Sequence, residues 1–224
     1  AAFRARPRWP TTAWSTPSGG GEGSGDRGPR RALTMARGAP PHVLLLSPGF
    51  PADDADTACL PSLQLFVRAA TAAGAARFSV VAVAYPPESR PYVWHGVAVW
   101  PAGGGNRRGP ARPATWVRGA AAAARLHVRD PVDVVHAVWL TDAAALALRL
   151  GPLLARPVVL TAMGRDAGGG TPWPQVLPLE RAVVVAPSGR AAADLAATTG
   201  RTADRVVPWG VEAPAVAPVG WAER

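Results

Sequence analysis

The sequence predicts an α/β fold, a doubly wound and mostly parallel sheet with helices on both faces. Three observations lead there. From residue 42 onward, short Val- and Leu-rich runs alternate with Ala-rich segments, as expected of strands buried on both faces and separated by helices. Seven such runs occur, and the Ala-rich segments are long enough for the crossovers that parallel strands need. Finally, Ser, Thr, Asp, Pro and Gly fall where those segments start and stop.

The first run, Val43 to Ser47, reads as a strand. A helix over about 61–73 follows, with Pro61 in its first turn, Asp56 or Thr57 as its cap and Gly74 beyond its end. Strands are then expected at Ser79 to Ala84 and Val97 to Trp100, and a helix over about 114–129. The strand Val132 to Ala137 leads into a helix over 142–155, capped by Thr141 or Asp142 and closed near Gly151. Pro157 to Ala162 and Ala182 to Ala186 are the next strands. A Ser188-capped helix over about 189–198 ends at Gly200, and Arg205 to Pro208 is the last strand.

Residues 1–41 contrast with all of this. They are rich in Pro, Gly, Ser and Arg and have no apolar periodicity, so a disordered tail is expected. Residues 1–34, ahead of Met35, read either as upstream sequence translated in error or as a real flexible tail. The folded domain is placed at 42–214, with 215–224 as the start of a linker to a second domain.

The formal charge of +9 comes from 24 basic residues, every one of them Arg, in a chain with neither Lys nor Ile. That bias belongs to a GC-rich coding sequence, so the charge is no argument for a nucleic-acid partner. The tail holds seven Arg against two acids, leaving 17 against 13 in the remainder. The single Cys59 excludes an intrachain disulfide framework. No signal peptide or membrane-spanning run is read, and a cytoplasmic location is expected.

Common site motifs are absent. No G-x-G-x-x-G follows the first strand, and a chain without Lys has no phosphate-loop G-x-x-x-x-G-K. Ala186-Pro187-Ser188-Gly189-Arg190 lacks the two glycines of a nucleophile elbow. His42, His95, His127 and His136 have no zinc-like spacing, so neither a metal nor another cofactor is expected.

Four segments nevertheless follow one another in a telling order: DPVDVVHAVWLTDAAALAL, ARPVVLTAMGRDA, AVVVAPSGRAAADLAATTG and RVVPWGVEAP. They resemble the D-V-V-H-x-H, T-x-H-G-x-D, Ser-capped helix and I-P-N-G-V-D segments of family 4 glycosyltransferases. The opening HVLLLSPGFPADDADTACLPSLQLFV resembles the first strand and helix of bacterial members with a D-T-x-C-x-P-x-L-Q stretch. Together the likeness covers about residues 42–215.

The resemblance implies a Rossmann-like half of a GT-B fold. It implies a two-domain enzyme that transfers a sugar, with retention, from a nucleotide-sugar donor to a glycan, lipid or small-molecule acceptor. This half would receive the acceptor, and a second domain with a Glu-x7-Glu element would hold most of the donor. Matched residue by residue, it makes Gly49, Gln64, His136, Gly164, Arg165, Asp166 and Ser188 candidates to line the crevice; no catalytic residue is assigned. Val138 replaces the second histidine of D-V-V-H-x-H, and Met163 replaces the histidine of T-x-H-G-x-D. Two other readings stand beside it: a non-catalytic Rossmann-like binding module, and another GT-B enzyme such as a sugar-nucleotide epimerase. Arg118, Arg125 and Arg129 fall on one side of the 114–129 helix. That side reads as a solvated charged face, with peripheral contact with anionic lipid at the inner membrane face as the other reading.

Overall fold

The backbone alternates strand and helix from His42 to Val206 in a computed structural model that describes residues 39–105 and 112–210. The expected tail, for residues 1–38, and the expected linker at 215–224 lie outside the described residues. The chain runs β1 (His42–Gly49), α1 (Pro61–Ala72), β2 (Arg77–Tyr85), β3 (Tyr92–Trp94), β4 (Val97–Pro101), α2 (Arg112–Arg129) and β5 (Val134–Val138). It continues α3 (Asp142–Leu154), β6 (Val158–Thr161), α4 (Trp173–Val176), β7 (Val183–Ala186), α5 (Gly189–Thr199) and β8 (Arg205–Val206).

One sheet holds every strand, in the order β3-β4-β2-β1-β5-β6-β7-β8. All neighbours are parallel except the β3–β4 edge pair. β1 lies between β2 and β5, so the winding direction reverses there; crevices for ligands form at the carboxyl ends of such strands. The predicted doubly wound architecture is the one observed.

β3 was not expected. Its three residues join β4 through His95 and Gly96, whose φ values of 43° and 82° make a two-residue hairpin turn. That turn normally signals itself by Asn-Gly. The backbone N–H of His95 donates to Asp54 Oδ1 at 2.9 Å, which fixes the hairpin to the loop after β1.

Two apolar clusters flank the sheet. On one face Leu44, Leu46, Val135 and Leu160 pack against α2, α3 and α5. On the other, Leu45, Val80, Ala82 and Val99 pack under Leu63 and Val67 of α1. Each fully buried Leu contributes about 1.5–3 kcal/mol, so β1, buried on both faces, anchors the fold.

Two expected helix boundaries need correction, and at a third one of the two expected caps is selected. Leu60, just before α1, is left-handed and provides no side-chain cap; Asp56 binds the preceding loop instead. Thr141, and not Asp142, caps α3 by accepting from the Ala143 N–H. Gly151 does not end α3. A Cβ there would stand 2.2 Å from Val158 Cγ2, so this glycine lets the helix press on β6, and the left-handed end falls at Ala155.

Candidate functional site

The crevice side of the sheet is built from the segments that follow β1, β5, β6 and β7. The first is held by carboxylates. Asp56 accepts the backbone N–H groups of Ala52, Ala58 and Cys59 and the hydroxyl of Tyr85. Partial burial alone would raise its pKa, but those donors outweigh burial and keep it below the usual carboxylate value. Gln64 donates through Nε2 to the carbonyls of Asp56 and Cys59, at 2.9 and 2.7 Å, so its amide N–H groups fasten the loop to α1. Gly49 ends β1 beside Tyr85. A Cβ there would make only ordinary contacts with Tyr85 and Cys59, and its φ is not positive, so the chain's own packing does not demand glycine. Burial, then Asp56, pushes the Cys59 thiol up to about 11, which keeps it protonated and a poor nucleophile.

The segments after β5 and β6 are tied together by Asp166. Its carboxylate is buried and accepts Leu140 N–H at 2.7 Å and Met163 N–H at 3.0 Å. Asp166 thus spans two loops from neighbouring strands, and its oxygens are committed to backbone. Gly164 adopts a φ of 126° with nothing within 4 Å of a notional Cβ, and Arg165 beside it is exposed.

His136 sits elsewhere. Sequence reading put it at the end of its strand, but β5 runs on to Val138, so His136 is mid-strand on the α1 face. Its Nε2 lies 2.8 Å from Thr161 Oγ1, and Phe66 meets it edge-on. Burial lowers its pKa to about 4, so the ring is neutral at pH 7. The residue that does emerge after β5 is Trp139.

Ser188 caps α5, accepting from Ala191 N–H at 3.1 Å, as its position before that helix suggested. The structure therefore brings Gly164, Arg165 and Asp166 together in one loop, with Ser188 after the next strand, while Gly49 and Gln64 stand across β1 and His136 lies apart from the rim.

A cluster that sequence reading missed joins α2, α3 and α4. Arg112 makes a two-pronged pair with Asp142, at 2.7 and 2.8 Å, and Trp116 Nε1 donates to the same carboxylate. Arg112 also lies over the Trp173 ring, and Arg149 over that of Trp116. Of the three arginines expected to form a basic face on α2, Arg118 donates to the carbonyls of Ala102 and Gly103, and Arg129 lies over Trp100. No group of three potential metal ligands and no helix long and apolar enough to cross a membrane is found among the described residues.

No family model matches the chain, and no curated protein sequence is significantly similar to it. Solved structures are similar. A sucrose-phosphate synthase structure from Thermosynechococcus elongatus matches with a TM-score of 0.56 at 14% identity, over 76% of this chain and 90% of that one. UDP-GlcNAc 2-epimerase from Methanocaldococcus jannaschii matches at 12% identity and TM-score 0.43, and UDP-N-acetylglucosamine 2-epimerase from Rickettsia bellii at 11% and 0.41. Each of these two matches covers 70% of this chain and 42% of the other, so the chain spans less than half the length of either epimerase. The match to the synthase shows the fold: this is a Rossmann-like domain of the kind that makes one half of a GT-B fold.

Proposed function

We propose that this chain is the acceptor-side half of a retaining glycosyltransferase similar to family 4, active when a second domain completes the crevice. The observation that carries the reading is the sheet itself: it has the fold of the sucrose-phosphate synthase match, and two of the segments that resemble family motifs put Gly164 to Asp166 after β6 and Ser188 after β7, on the crevice side. The donor is a nucleotide sugar held mainly by the other domain, and the acceptor is a glycan, lipid or small molecule.

Positioning two substrates supplies much of the rate of such a reaction, and one half cannot position both. The chain alone is therefore expected to bind nucleotide sugars no tighter than about millimolar and to transfer no sugar, whereas the chain joined to a second domain does both. Calorimetry and donor hydrolysis on the two proteins test this. Micromolar donor binding by the isolated chain would show that the donor site has been put in the wrong half.

One observation favours a second reading, a Rossmann-like binding module without catalysis. Asp166 is committed to backbone and His136 to Thr161, so neither offers a free acid or base. Absence of transfer by the two-domain protein, with ligand binding retained, would select it. With Arg118 and Arg129 engaged inside the chain, Arg125 is the basic group left on the basic face of α2, beside the exposed Val117 and Val128.

A further inference from the structure

Trp139 has a φ of 67°. For a bulky L-residue the left-handed region costs free energy and persists only where the surroundings over-determine it. Here they do. The Trp139 N–H donates to the Thr161 carbonyl, the Trp139 carbonyl accepts from Thr141 N–H, and the next N–H, of Leu140, is bound by the buried Asp166 carboxylate. The same carboxylate holds Met163 N–H on the neighbouring loop, so a buried charge has been committed to fixing this one corner. A glycine would occupy the corner without strain, yet the chain carries its largest side chain there.

The location gives the strain a purpose. Trp139 is the first residue after β5, which lies beside β1 at the reversal of strand order, where open α/β sheets bind their ligands. Trp139 packs on the α1-face cluster but is only partly buried. Beside it, after β6, stand the open Gly164 and the exposed Arg165, whose carbonyl accepts from Gly170 N–H and whose guanidinium has no hydrogen-bond partner among the described residues.

We infer that Trp139 is a stacking platform for the apolar face of a pyranose ring, and that Asp166 is the positioning residue that holds it in place. The inference rests on the sugar-handling reading above and adds to it the group that meets the sugar. A rigid aromatic ring supplies contact area to a C–H-lined face at little entropic cost. Asp166 touches no sugar; it acts through the backbone of Leu140 and Met163.

The test uses the full chain and saturation-transfer NMR with methyl α-D-glucopyranoside and, separately, UDP. Trp139→Gly removes the ring at a position where glycine suits the backbone, so the variant is expected to fold, as a thermal melt will verify. It should bind the glucoside about tenfold more weakly, and Trp139→Phe should restore most of the signal. Asp166→Asn, which removes the charge and replaces one accepting oxygen with an N–H₂ donor facing these backbone N–H groups, should weaken binding in the wild-type background but add nothing in Trp139→Gly, the coupling expected of one residue acting through another. Undiminished glucoside binding by a folded Trp139→Gly overturns the inference and leaves the wider reading standing. A wild-type chain that does not respond to the glucoside also overturns the inference. UDP, whose site lies mainly in the other domain, is expected to give no strong response, and the wider reading is decided separately by the transfer assay on the two-domain protein. Equal losses from Asp166→Asn in the two backgrounds would refute its positioning role.

Discussion

A neutral histidine inside a strand makes stability depend on pH. The folded pKa of His136 is about 4 against an ordinary 6.5, because burial disfavours the imidazolium. Between those values the unfolded chain binds more protons than the folded one, so stability is full above about pH 6.5 and is lost as pH falls toward 4. His42 is lowered by burial too, partly offset by the nearby Asp130, and adds to the same slope. Urea titrations at pH 7 and pH 5 should therefore show a lower midpoint at pH 5 for the wild type and a smaller difference for His136→Asn. An equal drop in both proteins would place the acid sensitivity outside this residue.

At the scale of elements, the ends of helices on the crevice side are fastened by side chains. Asp142 joins α2 to α3 through Arg112 and Trp116, and Ser188 holds the first turn of α5. The Arg112–Asp142 pair is partly exposed, so its Coulomb term is small, but Asp142→Ala also strands the indole N–H of Trp116. A loss of about 1–2 kcal/mol is expected, or roughly 2–6 °C in Tm for a domain of this size. Ser188→Ala should cost about 1 kcal/mol through its cap. Double substitution should be additive, because the two sites share no partner. Thermal melts of the three variants measure all of this, and strong coupling between the sites would show a connection that the hydrogen bonds do not reveal.

Across the whole sheet, cover is uneven. β1 is buried on both faces, whereas β8 is a two-residue edge strand with exposed Arg205 and Val206. Local opening follows such differences, so hydrogen exchange should be slowest at Leu44 to Leu46 and the paired Val80 and Val81, and fastest at β7 and β8. Uniform protection from β1 to β8 would contradict that gradient.

The strands and helices were legible because buried strands and Ala-rich helices write their period into composition: β1, β2, β4 to β8 and the four longer helices lie within a few residues of their expected places. The caps at Thr141, Ser188 and Gly200 were legible for a local reason, since the residue itself supplies the oxygen or the left-handed turn. Sequence order and alternation thus determined the doubly wound sheet, and with it the edge where a ligand would lie. What no local pattern contained was the outcome of long-range contacts. Nothing around Trp139 announces a left-handed backbone, because that conformation is imposed through its neighbour Leu140 by a carboxylate 26 residues beyond Leu140 in the chain. Gly151 looked like a helix end until Val158 was packed against it, and Asp142 looked like a cap until Arg112 and Trp116 reached it from another helix. Tertiary structure decided these because a side chain's role is set by which partner arrives first within hydrogen-bond or van der Waals distance, and the sequence lists the partners without their distances.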